Sequence, residues 1–253
     1  MNLLNLSVYA RGYIRHKKLP GIPIVVGGCE RSGTTLLQSM LSAHPNLYAF
    51  EEEIWSFCYG KPAGFDSKRP IRMSRLYKHL GQDPLPETAV RWCEKSPANI
   101  FFFKDILEHF NRKVKLIQIV RDGRDVISSM HPQNHKEPWV PSKRWRAAIE
   151  AGLPYRNHPN VTTVRYEDLI QNYDQTMRSI CNFIEEDFHQ NMAAWHEHSR
   201  IKKSRNLLSS NITPIHSGSI KKFEQLDFPH RQRIDDFQAI PEISKLLKAY
   251  DYI

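Results

Sequence analysis

The feature that most constrains this chain is the loop Gly27-Gly28-Cys29-Glu30-Arg31-Ser32-Gly33-Thr34-Thr35, set between two apolar runs of different period. Ile22, Ile24, Val25 and Val26 precede it and are β-branched, as suits a strand buried on both faces. Leu36, Leu37, Met40 and Leu41 follow at helical spacing. The unit reads strand, glycine loop, helix. Glycine lets such a loop curl without steric penalty, and the loop amides and helix N-terminus converge on one point that favours an anion, most often phosphate.

The spacing is close to that of a nucleoside triphosphate loop and departs from it at one position. Gly28 and Gly33 are separated by four residues, so a lysine that reaches the β- and γ-phosphates belongs next. Thr34 stands there instead. The missing charge argues against ATP or GTP hydrolysis, and Arg31 supplies a cation from inside the loop. A glycine turn that merely packs a helix on a strand would need none of Arg31, Ser32, Thr34 and Thr35.

The chain has 253 residues, enough for one large α/β domain with a full core. Hydrophobic content of 40% and charged content of 25% are those of an ordinary globular protein. A formal charge of +9 points toward anionic ligands in general: nucleotide, acidic substrate, nucleic acid or membrane surface. Cys29, Cys58, Cys93 and Cys181 are far apart and form no Cys-x-x-Cys pair, so they read as free thiols in a reducing compartment. No charged segment followed by a long apolar one marks a signal peptide, and no run reaches the ~18 apolar residues of a membrane span. A cytoplasmic protein is expected. Arg11, Arg15, Lys17 and Lys18, in an N-terminal extension over residues 1–20, read as a solvated face with at most weak peripheral membrane contact.

Along the chain, chemistry-bearing residues recur where strands should end. His44-Pro45 marks a turn, and the short strand after it delivers Glu51, Glu52 and Glu53. In a parallel α/β sheet, residues just beyond a strand's carboxyl end face the ligand crevice, so a glutamate there can serve as a general base. Residues 57–90 read as an insertion that shapes the acceptor site, with a short helix around 71–80. A strand over 90–94 presents Lys95, and a helix is expected over 98–110. Val114–Val120 is the clearest strand; it ends in Arg121, and a helix through Val126, Ile127 and Met130 carries Ser128 and Ser129. Guanidinium and hydroxyl together make a second phosphate clamp. Asp122 and Asp125 read as an Arg–Asp network capping that helix. Residues 131–141 read as loop, and 161–164 as a fourth strand. Helices are expected near 187–195 and, split at Pro241, over 231–250. His196-Glu197-His198 falls in helical context without a third ligand, so no metal is expected there.

Gly28-x-x-Arg31-Ser32-Gly33-Thr34-Thr35 resembles the 5′-phosphosulfate loop of sulfotransferases that use 3′-phosphoadenosine 5′-phosphosulfate. Arg121 with Ser129 eight positions on resembles that family's 3′-phosphate site. Val164–Leu169 and Lys222-Phe223 are similar to further landmarks, so the likeness spans about residues 22–223. It is nearest to the tyrosylprotein and glycan types. The catalytic His that cytosolic phenol and steroid enzymes place two residues after a strand-end Lys is Pro97 here, whereas Glu51-Glu52 after His44-Pro45 fits the acidic pair of the tyrosylprotein type. Two positions depart from that pattern: Glu53, where threonine or arginine often stands, and Gln133, where an arginine belongs.

The resemblance implies an α/β, P-loop-NTPase-like three-layer sandwich, a central parallel sheet of four to five strands flanked by helices, in a single domain over 1–253. It implies the phosphosulfate donor as cofactor, adenosine 3′,5′-bisphosphate as product and no metal. Arg31, Ser32, Gly33, Thr34 and Thr35 would hold the 5′ side, Arg121 and Ser129 the 3′-phosphate, and Tyr166 the adenosine. Glu52 would be the base, and Lys95 with Lys222 would neutralise the leaving oxygen. The partner would be a hydroxyl-bearing acceptor, glycan, peptidyl tyrosine or small molecule, and not nucleic acid. A P-loop kinase and a non-catalytic polyanion-binding module are the alternatives.

Overall fold

A computed structural model describes residues 3–58, 71–82, 84–131, 134–201 and 217–253, and the structural statements below concern these. In chain order the elements are α1 (Leu3–Lys18), β1 (Ile24–Gly28), α2 (Thr34–Ser42), β2 (Leu47–Ala49), α3 (Met73–Gln82), β3 (Arg91–Lys95), α4 (Phe103–His109), β4 (Lys115–Val120), α5 (Gly123–Ser128), β5 (Met130–His131) and β6 (Asn134–Pro138). Then come α6 (Ser142–Gly152), β7 (Val161–Arg165), α7 (Tyr166–Gln171), α8 (Tyr173–Phe183), α9 (Gln190–Ala193), α10 (Trp195–His198), α11 (His230–Ala239) and α12 (Pro241–Ala249).

Five strands form one sheet in the order β2-β3-β1-β4-β7, and every pairing is parallel. β1, the strand before the glycine loop, is central and buried along its whole length. Strand alternation then divides its side chains between two cores. Val25 joins Trp92, Leu116, Phe103 and Trp145 on one face. Ile24 and Val26 join Leu37, Leu41, Ile117, Met177 and Ile180 on the other. The result is the expected three-layer arrangement, with helices on both faces of a parallel sheet.

This topology positions the site. Because all five strands run the same way, their carboxyl ends share one edge, and the register pairs Val26 with Lys95 and Gly28 with Ile119. The glycine loop, Glu51–Glu53, Lys95, Arg121 and Tyr166 therefore leave the sheet on the same side, in the crevice where open α/β sheets bind ligands.

Several elements differ from the sequence expectations. The N-terminal extension forms a packed helix: α1 packs on α3 at two glycines, where a Cβ on Gly12 would lie 1.7 Å from Tyr77 O and one on Gly81 2.0 Å from Val8 O. Arg15, expected on a solvated face, donates to Leu80 O at 2.7 Å, while Arg11, Lys17 and Lys18 are exposed. The segment read as an insertion over 57–90 contributes Phe57, Cys58, Leu76 and Leu80 to the core; residues 59–70 lie outside the described set. The helix expected over 98–110 begins as a 3₁₀ turn, Pro97–Phe102, and becomes α-helical only at Phe103. Close packing accounts for the tight turn, since a Cβ on Gly27 would sit 2.6 Å from Ile100 N. α5 ends at Ser128, so Met130 starts a two-stranded hairpin with β6 in the stretch read as loop. The helix expected near 187–195 is only the short α9.

Candidate active site

The loop after β1 has the geometry of an anion cradle. Gly33 adopts φ +93°, a left-handed backbone that only glycine reaches without strain. It precedes α2 without any side-chain cap, so the first amides of that helix have no intrahelical or side-chain partner. Ser32 is fully buried and its Oγ has no described hydrogen-bond partner. A buried hydroxyl without a partner costs free energy unless a ligand completes it. Glu30 fixes the loop from outside: Arg144 on α6 grips its carboxylate through two bonds, of 2.6 and 2.9 Å, and stacks over Phe101 at 4.6 Å. The Arg31 guanidinium lies 5.0 Å over the Trp139 ring.

Arg121, at the end of β4, is buried beside this loop. It donates to Arg31 O at 3.0 Å and to Ser219 O at 2.5 Å, and stacks on the Tyr166 ring at 4.4 Å. Its Nε is buried without a partner among the described residues. The Tyr166 hydroxyl bonds Ser219 Oγ at 2.6 Å, and its ring edge would lie 2.5 Å from a Cβ on Gly33. Asp125 ties the segment together. Its carboxylate accepts from Lys221 N (2.9 Å) and Phe223 N (3.2 Å) and lies 3.7 Å from Arg121. Burial raises its pKa, while Arg121 and the amides oppose the rise. Ser129 stands just past α5, its Oγ bonded to Asp125 O at 3.2 Å, so Arg121 and Ser129 share Asp125 as a support. Lys222 is exposed at the same segment and makes no described hydrogen bond to the loop.

Lys95, at the end of β3, is 1% exposed and donates to Thr35 Oγ1 at 3.2 Å and to Glu53 Oε1 at 2.7 Å. The carboxylate beside the lysine is thus Glu53; Glu51 and Glu52 are exposed. The adjacent Glu94, on the opposite face of β3, is wholly buried and accepts from Ser96 Oγ and Asn99 Nδ2, both at 2.6 Å. Burial pushes its carboxyl up to about 7 against these two bonds and the Lys95 charge.

A carboxyl that holds its proton more tightly folded than unfolded lowers stability once the unfolded chain ionises. For Glu94 the loss begins near the ordinary 4.5 and is complete near 7. Glu94→Gln is therefore expected to flatten the melting-temperature profile between pH 5 and 8 and to raise the upper end by on the order of 5 °C. Parallel profiles for the two proteins would refute this.

Of the sequence-predicted site residues, Arg31, Ser32, Gly33, Thr34, Thr35, Lys95, Arg121 and Tyr166 converge on the strand ends. Ser129 lies one contact away, and Glu52 and Lys222 reach solvent. Gln133 lies outside the described residues. The sequence reading placed Glu53 in the acidic run without pairing it with Lys95, and it gave no role to Ser219 or to a Glu30–Arg144 pair. The Arg–Asp network expected of Asp122 and Asp125 is present, with Arg124 on Asp122 at 2.7 Å and Arg121 3.7 Å from Asp125, and Asp125 in addition accepts from Lys221 N and Phe223 N. No group of three or more His, Cys, Asp or Glu side chains is disposed to hold a metal among the described residues. No described helix is long and apolar enough to cross a membrane.

Comparison with known proteins supplies family context. A family model for the sulfotransferase domain matches residues 22–238. A Caenorhabditis briggsae sequence described as a protein-tyrosine sulfotransferase is 27% identical over 199 residues, covering 69% of this chain and 69% of that protein. Protein-tyrosine sulfotransferase 1 of Danio rerio is 24% identical over 237 residues, 79% of this chain and 62% of that protein. The human protein of that name is 29% identical over 139 residues, 46% and 35%. The chain thus spans less than two thirds of the length of two of these three relatives. The sulfotransferase domain of a Synechococcus olefin synthase has the same fold, with a TM-score of 0.60 at 19% identity over 93% of this chain and 96% of that one. So does a mouse sulfotransferase complexed with PAP, at 0.58 and 14% over 98% and 95%.

Proposed function

The chain belongs to the sulfotransferase domain family, and from that premise we propose that it transfers a sulfuryl group from 3′-phosphoadenosine 5′-phosphosulfate to an acceptor hydroxyl. The observation that carries the reading is the placement of Ser32 Oγ in the loop and Arg121 Nε beside it, each buried without a partner among the described residues. They fit a ligand with anionic groups on two sides of one nucleoside. A triphosphate would present its charge on one side only and would meet Thr34 where a lysine is needed.

In this reading the amides of Gly33 to Thr35, with Ser32, Thr34 and Thr35 hydroxyls and Arg31, bind the 5′ side. Arg121 and Ser129 bind the 3′-phosphate, the Tyr166 ring borders the adenosine, and Lys222 closes over the donor from the segment that Asp125 anchors. When bound, the donor supplies the sulfuryl group and leaves as the bisphosphate. Lys95 faces the side on which negative charge develops, where a positioned cation acts without reorganisation. Glu52 takes the proton from the acceptor hydroxyl; its exposure suits a group that meets an incoming substrate, and its geometry tightens only in the complex. The relatives' names favour a peptide tyrosine as acceptor. A screen of peptides, glycans and small hydroxyl compounds with radiolabelled donor selects among the classes.

Thermal-shift titration tests the donor reading. Adenosine 3′,5′-bisphosphate at ~100 times its Kd is expected to stabilise the fold by about 2.7 kcal/mol, while ATP with magnesium gives no comparable shift. Stabilisation by ATP with magnesium alone would move the assignment to a kinase. In the second arm, Glu52→Gln keeps the bisphosphate shift and loses turnover about 10²–10⁴-fold, the scale of a general base. Persistent turnover would remove Glu52 from that role.

A further inference from the structure

We propose that Glu53 is a counter-charge that gates the donor site: it holds the Lys95 ammonium while the site is without donor and competes with the donor's anion for it. The proposal rests on the sulfotransferase reading and deepens it, because that reading needs Lys95 and assigns Glu53 nothing.

The two partners are unequally buried. The Lys95 side chain is 1% exposed and that of Glu53 21%. A buried ammonium without a counter-charge is costly, so the fold supplies one at 2.7 Å. Thr35 Oγ1, the second acceptor of Lys95, belongs to the first turn of α2. The lysine thus spans the gap between the acidic run after β2 and the anion cradle after β1. When an anion enters the cradle, the Lys95 ammonium can exchange Glu53 for it as ion-pair partner without leaving Thr35. Glu53, partly in water already, is the partner that can be released and rehydrated.

Two consequences follow from the competition. Donor binding must weaken an existing ion pair, so its affinity is lower than that of the same cradle without Glu53. Product departure is eased in turn, because Glu53 takes Lys95 back. Glu53 is in this sense a positioning residue acting through Lys95; the general base is a separate carboxylate.

The test compares Glu53→Gln with the wild-type protein. Calorimetric titration with adenosine 3′,5′-bisphosphate is expected to show a Kd lower by about three- to tenfold, the scale of one neighbouring charge. The melting temperature without ligand falls, since Lys95 loses its counter-charge, and the rise on adding bisphosphate is larger than for wild type. In steady state, KM for the donor and kcat fall together, because the product leaves more slowly. Glu53→Asp, which keeps the charge but withdraws it from Lys95, gives an intermediate Kd. In a Lys95→Met background, Glu53→Gln leaves the bisphosphate Kd within about twofold, as expected when the coupled charge is gone. An unchanged or weaker bisphosphate affinity in Glu53→Gln overturns the proposal. So does a turnover loss beyond about 10³-fold at unchanged affinity, which would make Glu53 the base. Failure of the wild-type protein to bind bisphosphate would count against the donor reading itself, a distinct outcome.

Discussion

Lys95→Met is expected to lower turnover about 10²–10³-fold, the cost of removing one preorganised charge from the point where negative charge develops. The effect should fall on kcat more than on donor KM, because the ammonium interacts more strongly with the leaving oxygen than with the ground state. Folding should be nearly unaffected. Methionine matches the lysine stem in volume, and Glu53, with 21% of its side chain exposed, can hydrate once the ion pair is gone. Replacing a buried ion pair by an apolar isostere is often neutral, whereas leaving the buried member unpaired is not. Initial rates with the acceptor found by screening, beside melting curves, check both halves. A kcat within threefold of wild type would place Lys95 outside the reacting centre.

Gly33→Ala should damage both the fold and the loop, because it combines backbone strain with a steric clash. A side chain at φ +93° costs about 1–2 kcal/mol in the left-handed region. The new Cβ would also lie 2.5 Å from Tyr166 Cδ2, closer than real contacts allow. Relieving an overpacked contact costs about 1–3 kcal/mol, here by moving either the Tyr166 ring off Arg121 or the loop amides off their common point. The melting temperature should drop by roughly 5–15 °C, at about 2–4 °C per kcal/mol for a chain of this length. The bisphosphate shift should vanish at ligand concentrations that saturate wild type. A bisphosphate Kd equal to wild type in Gly33→Ala would show that the loop does not bind the donor through its backbone.

Much of this was readable along the chain because it is local. β-branched residues before Gly27 and helical spacing after Thr35 mark β1 and α2, and Thr34 in place of lysine turns the loop away from triphosphates. Arg121 was found because a strongly apolar strand leads straight into it. What escaped was set by contacts distant in sequence. The 3₁₀ start at Pro97 answers to Gly27, and the burial of Phe57 and Leu76 in a polar segment answers to Trp92 and its neighbours. Nothing near Ser219 announces that its carbonyl meets Arg121, 98 residues earlier.

The run Glu51-Glu52-Glu53 divides the two kinds of information most sharply. Three carboxylates after a strand end are recognisable from sequence, as is a lysine after another, and parallel topology brings both to one edge. Which carboxylate meets the lysine is another matter, since successive residues in an irregular turn point in different directions and composition does not encode those directions. Sequence by itself determined the glycine loop, its threonine where a triphosphate loop carries lysine, and the strand ends that face it. Only the tertiary structure decided that Glu53, not Glu52, pairs with Lys95 and that Arg121 is held between Arg31, Ser219 and Tyr166. Periodicity and spacing report how a segment lies on its neighbours, whereas a side-chain pairing depends on where two separate segments end in space.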